Sequence, residues 1–194
     1  MEMALDTDGE ISDEALLAAY GRGDPQAARA LSIRLTPRVL GFAMRMLGGD
    51  RAESEDVAQE AMLRLWKQAP QWRAGEARVT TWLYRVVANL CTDRLRKRRH
   101  VDIDSVAEPE DGRAPVSHRL MAEDRARALI AALAELPERQ RQAVILRHIE
   151  GLANPEIAEI LEISVEAVES LTARGKRALV QKLAPRRKEL GYGE

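Results

Sequence analysis

The chain has 194 residues, 45% of them apolar, 31% charged and only 4% aromatic, with a formal net charge of −1. That length allows one ordinary domain or two small ones, and the apolar share excludes a wholly disordered chain. No apolar run approaches the roughly 18 residues of a membrane span. The acidic start, Met1 to Asp6, lacks the features of a secretion signal, and the single cysteine, Cys91, excludes a disulfide framework or cysteine-based zinc site. The expectation is a soluble, cytoplasmic protein, all-α because Ala, Leu, Glu and Arg dominate.

From the N-terminus, Ser12 can cap a helix carrying Leu16, Leu17 and Tyr20, which Gly21-Arg22-Gly23 ends. Asp24-Pro25 supplies a cap and a proline at the first helical position. The helix it opens runs toward Leu35, and Pro37 is expected to kink or restart it before Gly48-Gly49. The next helix spans about Glu53 to Gln68, with Val57, Ala61 and Leu65 on one face and Asp56, Glu60, Arg64 and Lys67 on another. Pro70 stops it, and a loop from Trp72 to Arg78 leads into a helix from Thr80 to about Arg99. Its apolar stripe is Leu83, Val87, Leu90 and Leu95; Arg85, Asn89, Thr92, Arg96 and Arg99 recur on the opposite side. That second face joins guanidinium groups suited to phosphates with an amide and a hydroxyl able to read base edges.

Residues 101–118 carry Pro109, Gly112 and Pro115, are acidic and lack helical apolar spacing, which reads as a flexible linker. Two small helical domains result, 12–100 and 119–185. In the second, Asn154-Pro155-Glu156 is expected to start a short helix with Asn154 as cap, and Glu162-Ile163-Ser164 a three-residue turn whose serine caps the next helix. Two helices across so short a turn, followed by a basic end, match a helix-turn-helix, although other helical hairpins share this spacing.

Charge is distributed unevenly. Arg73 to Arg99 contains eight cations against Glu76 and Asp93, and Arg174 to Lys188 contains seven and no acid. Two basic patches on a neutral chain suggest two polyanion contacts, solvated helix faces being the plainer alternative. Of the aromatics, Trp66 and Trp82 adjoin apolar stripes and belong with the core, whereas Trp72 is the better candidate for exposure. Cys91 falls on the inward side of its helix and reads as a small core residue, and His148 as structural. His100 with Asp102 and Asp104 reads as an incidental run, so no metal and no cofactor is expected. The chain carries no phosphate loop, nucleophile elbow or zinc-protease motif, which argues against an enzyme.

The ordered set of motifs resembles the sigma-70 family of bacterial transcription initiation factors, in its small extracytoplasmic-function (ECF) group. The likeness is carried by Glu55-Asp-Val-Ala-Gln-Glu-Ala-Met-Leu-Arg-Leu-Trp66, Thr81-Trp-Leu-Tyr-Arg-Val-Val-Ala-Asn89 and Asp93-Arg-Leu-Arg-Lys-Arg-Arg99. In the second half it is carried by Leu136-Pro-Glu-Arg-Gln-Arg141, Leu146-Arg-His-Ile-Glu-Gly-Leu152 and Glu156-Ile-Ala-Glu-Ile-Leu161. The resemblance implies that 12–100 is sigma region 2 and 119–185 is sigma region 4. Asp56, Gln59 and Glu60 would then bind the clamp helices of the largest polymerase subunit, with the flap as a further polymerase contact. Trp72, Arg73, Arg78, Arg85, Asn89, Thr92, Arg96 and Arg99 would engage the minus-ten element and a flipped base. Glu169, Ser170, Ala173, Arg174, Lys176 and Arg177 would meet the minus-thirty-five element, and the acidic linker would thread toward the polymerase active-site channel. An anti-sigma factor, with no membrane insertion, completes the implied partners.

Departures from the family pattern concentrate in the second half. Glu169 and Leu171 stand where basic residues are frequent, and Glu162 where glycine is frequent. Two rival readings are a stand-alone helix-turn-helix repressor and a sigma-like decoy that binds an anti-sigma factor without DNA.

Overall fold

In the computed structural model, residues 11–73, 78–102 and 118–186 are described, and they form eight α-helices and no strand. The first four helices are α1 (Asp13–Gly21), α2 (Pro25–Met46), α3 (Arg51–Gln68) and α4 (Val79–Asp102). The second half has α5 (His118–Ala134), α6 (Glu138–His148), α7 (Asn154–Leu161) and α8 (Val165–Leu183). Short 3-10 turns at Ala69–Gln71 and Ala184–Arg186 follow α3 and α8.

Side-chain caps set several of the starts. Ser12 accepts from the Ala15 N–H, Asp24 from Gln26, and Ser164 from Ala167, as their sequence positions imply. Asp50 does the same for Glu53, so α3 begins at Arg51, two residues earlier than its apolar pattern suggests. Pro37 does not restart α2: the helix is continuous from Pro25 to Met46. Proline removes one N–H, but Pro37 is exposed, so its ring lies toward solvent and the freed carbonyl of Ile33 can find water.

Leu17, Leu31, Leu35, Val39, Phe42, Met46, Val57 and Leu65 centre the core of the first half. Each such side chain contributes roughly 1.5–3 kcal/mol on burial. α4 adds Leu83, Tyr84, Val87, Ala88 and Cys91. The buried stripe is therefore broader than expected, and Leu90 and Leu95 flank it, half-buried. Tyr84 packs edge-on against Phe42 at 5.3 Å, and Trp66 against Tyr20 at 5.0 Å.

In the second half, α6 and α8 cross closely because Gly175 has no side chain. A Cβ there would lie 2.5 Å from Val144 Cγ2 and 3.2 Å from the Gln140 carbonyl oxygen. One local expectation is corrected here. Asn154 does not cap α7: Ala153 is the cap residue, its N–H donates to Glu156, and Asn154 donates to Glu169. Glu162 takes the left-handed conformation (φ 55°, ψ 49°), the geometry that makes glycine frequent at such a position.

The two halves share one hydrophobic cluster, in which Leu133, Leu136 and Ile145 join the core of α1–α4. Arg141, buried, donates to the carbonyls of Met46, Ala134 and Leu136. One guanidinium thereby satisfies acceptors at the C-terminal ends of α2 and α5, where the helix dipoles favour a cation. Glu150 accepts from both Arg45 and Tyr84. Gly48 and Gly49, both at positive φ, would hold a Cβ 3.4 Å from Ala134 and Ile130 of α5. Close approach of α5 to this turn is another reason for the glycine pair.

Candidate nucleic-acid and polymerase interfaces

α3 turns Asp56, Gln59 and Glu60 away from its buried face of Val57, Ala61 and Leu65; Asp56 and Gln59 are exposed. The Glu60 carboxylate accepts from Arg64 Nε at 2.7 Å, and this bond holds its pKa below the ordinary carboxylate value. Arg94 of α4 approaches Asp56 at 3.8 Å and Glu53 at 3.8 Å. Arg98 pairs with Asp50 and Glu53. These two cations of α4 thus turn back onto the start of α3. Leu63, 52% exposed, follows Asp56 and Gln59 at helical spacing and gives the face an apolar centre. The apolar pattern assigned Leu63 no role, because a lone leucine beside a core stripe carries no signal of its own.

The opposite side of α4 brings together Arg85, Asn89, Thr92, Arg96 and Arg99, of which Asn89, Arg96 and Arg99 are exposed. Asn89, Thr92 and Arg96 line a polar recess of about 320 Å³ with Arg139, Gln142 and Glu162 of the second half. The rest of the face is engaged with that half. Arg85 donates to the Glu159 carbonyl at 2.8 Å and stands 3.7 and 3.9 Å from the Glu159 and Glu162 carboxylates. Thr92 donates to Glu138 and accepts from Gln142 at 3.1 Å, and Arg99 pairs with Glu138 at 3.2 Å. Arg78 pairs with Glu156 at 3.0 Å.

Trp72 is half-buried rather than exposed, edge-on to Trp82 at 6.1 Å, with its indole N–H buried and without an acceptor. Trp72 and Arg73 border a cleft with Gln68, Pro70 and Gln71. The rest of that loop, 74–77, lies outside the described residues, as do 103–117 of the expected linker and the basic residues Arg187 and Lys188.

On α8, Val168 and Gly175 are buried while Glu169, Ser170, Ala173, Arg174 and Arg177 are exposed. Leu171 packs partly against the core. Arg174 bonds back to the Ser170 carbonyl of its own helix at 3.2 Å. Lys176 is separated from this group: it borders an apolar groove of about 660 Å³ with Leu133, Val144, His148, Leu179 and Val180. His148 is an exposed rim residue of that groove. Partial burial, then Lys176 and Arg147, lower its pKa and favour the neutral ring. Cys91 is fully buried as expected, its thiol pushed up to about 12 by burial. Among the described residues no group of His, Cys, Asp and Glu could hold a metal ion, and no helix is long and apolar enough to cross a membrane.

Comparison with known proteins gives two family matches, Sigma-70 region 2 over residues 32–101 and Sigma-70 region 4 over residues 126–179. The RNA polymerase sigma-H factor of Pseudomonas aeruginosa is 32% identical over 186 residues, covering 89% of this chain and 94% of that one. The ECF RNA polymerase sigma factor SigM of Mycobacterium tuberculosis is 33% identical over 174 residues, covering 90% and 86%. Among solved structures, CnrH in complex with the cytosolic domain of CnrY aligns with a TM-score of 0.66 at 25% identity, covering 89% of this chain and 97% of that one.

Proposed function

This chain belongs to the sigma-70 family of transcription initiation factors, in its ECF group, and from that premise we propose that it recruits core RNA polymerase to promoters through three separate faces. The observation that carries this reading is the division of labour on two packed helices. α3 presents Asp56, Gln59 and Glu60, and α4 presents a face of arginines, an amide and a hydroxyl. An acidic and amide face suits a basic helical partner, here the polymerase clamp. A guanidinium face suits phosphates, and Asn89 and Thr92 suit base edges of the minus-ten element. The exposed side of α8, with Glu169, Ser170, Ala173, Arg174 and Arg177, suits the minus-thirty-five major groove. Glu169 can serve there as an acceptor for a cytosine amine. Lys176, on the groove rim, suits a phosphate better than a base edge.

In this reading 12–100 acts as sigma region 2 and 119–185 as sigma region 4, with the intervening stretch as a tether; the family matches over 32–101 and 126–179 support it. The apolar groove beside α8 has the size and lining for an amphipathic helix. It supports reversible control by an anti-sigma protein; CnrH, which this chain resembles, is known in complex with the cytosolic domain of CnrY. This control and a cytoplasmic location belong to the same reading, in which the chain has no catalytic role of its own.

The test is run-off transcription from genomic fragments with purified core polymerase, with and without the chain. The expected result is chain-dependent transcripts, abolished by Asp56→Lys while the variant keeps its helical circular dichroism. Absence of any transcript, or normal polymerase association by a folded Asp56→Lys protein, overturns the proposal.

A further inference from the structure

The polar recess between α4 and the second half holds a group that promoter binding leaves unused. Thr92 spends its one hydroxyl proton on Glu138, so toward Gln142 it can only accept. This fixes the Gln142 amide: Nε2 donates to Thr92 at 3.1 Å, and Oε1 remains an acceptor. Gln142 is 2% exposed, and its Oε1 is buried and without a donor among the described residues. A buried amide oxygen in that condition costs stability, which a ligand N–H or O–H entering through the recess would restore. Around Gln142, the recess of about 320 Å³ carries Asp93 and Arg96 of α4, Arg139 of α6, and Glu162 after α7. All four are exposed. Arg139 gives one N–H to the Leu161 carbonyl at 3.2 Å, which leaves it further donors. Glu162 approaches Arg85 only to 3.9 Å.

Two cations beside two anions select against either kind of simple ion. A lone anion suits the guanidiniums but meets the carboxylates, and a lone cation meets the reverse. A molecule that carries both charges satisfies both sets. We propose that this recess binds a small zwitterion with the chemistry of a free α-amino acid. Its carboxylate lies with Arg96 and Arg139, as charge-assisted bonds to guanidinium favour. Its ammonium donates to Gln142 Oε1 and is balanced by Asp93 and Glu162. The volume is at the small end of ligand sites, which run from about 300 to 1,000 Å³. Seven of the ten lining residues are polar, so a short or polar side chain fits better than a large apolar one. Asn89, Thr92 and Arg96 are also the groups that the proposed function gives to the minus-ten element, so ligand and DNA exclude one another. That consequence rests on the proposed function, whereas the binding itself does not.

The experiment is isothermal titration of the full chain with each standard amino acid in turn, without DNA or polymerase. Acetate and methylammonium, which carry one charge each, are titrated alongside. The expected result is one-to-one binding of at least one amino acid with a Kd below about 1 mM, and binding at least about tenfold weaker for the two single-charge probes. Arg96→Gln, Arg139→Gln and Gln142→Met should each weaken the amino acid about tenfold. Lys97→Gln makes the same charge change at an exposed neighbour outside the recess and should leave affinity as it is. Arg96 and Arg139 are exposed, so these two variants decide the question if Gln142→Met fails to fold. The proposal is overturned by a chain that binds no amino acid, by acetate or methylammonium binding as tightly, or by an affinity that either arginine variant leaves unchanged. Displacement of a fluorescent oligothymidine, read by anisotropy, separates the two readings. An amino acid that binds as expected yet leaves the oligonucleotide in place upholds the site and refutes the minus-ten assignment of α4.

Discussion

Two glycines inside helices, Gly175 of α8 and Gly41 of α2, should respond to alanine with opposite signs. Replacing glycine in a helix interior gains roughly 0.8–1 kcal/mol from backbone entropy and propensity, so propensity alone stabilises both variants. At Gly175 the added Cβ would stand 2.5 Å from Val144 Cγ2 and 3.2 Å from the Gln140 carbonyl. Val144 is only 3% exposed and β-branched, and the carbonyl belongs to the α6 backbone, so neither can step aside alone. The helices must separate by roughly 1 Å to restore van der Waals distance, and overpacking of this kind costs about 1–3 kcal/mol. This steric cost exceeds the propensity gain, so Gly175→Ala should be destabilised by about 1–2 kcal/mol net. At Gly41 the nearest atoms are the guanidinium nitrogens of Arg45 at 3.3 and 3.4 Å, the far end of a long side chain. Gly41→Ala should therefore be neutral or stabilised by up to about 1 kcal/mol. Urea unfolding of both variants, with slopes compared to confirm a common unfolded state, measures the two signs. Equal or greater stability of Gly175→Ala would refute the close crossing of α6 and α8.

Replacing Arg96 and Arg99 by alanine should lower the salt dependence of promoter binding by roughly one unit of slope for each phosphate no longer neutralised; an unchanged slope removes that side of α4 from the DNA. Asp50 is held below the ordinary carboxylate value first by the Glu53 N–H and then, against some burial, by Arg98. A carboxylate with a lowered folded-state pKa stabilises the fold above its unfolded value and loses that contribution as pH falls through the folded one. Asp50→Ala should thus cost about 1 kcal/mol at neutral pH, and the gap to the parent should close in acid melts. A constant gap rejects the assignment. Cys91, buried with its thiol pushed up to about 12, should resist a disulfide reagent at pH 8 in native buffer and react fully in denaturant. Fast native reaction would show that α4 leaves the core.

Local signals determined much of this protein. Polar side chains just ahead of apolar periodicity, as at Ser12, Asp24 and Ser164, set helix starts because a cap involves only a few consecutive residues. The 3.6-residue period separated Val87 from Arg85 and Asn89, and Leu65 from Asp56 and Glu60, for the same reason: a helix fixes which side chains share a face. Tertiary structure decided what those faces meet. Whether Pro37 interrupts α2 depended on which side of the helix faced water. Arg141, the last residue of the Leu136 to Arg141 motif, gains its role only because two helix ends from different halves converge on it. The same holds for Glu138, Glu156, Glu159 and Glu162, whose neighbours lie 39 to 78 positions away in the chain. Spacing along a helix specifies what is adjacent on that helix, whereas pairing between distant charges exists only once burial has fixed where the helices lie.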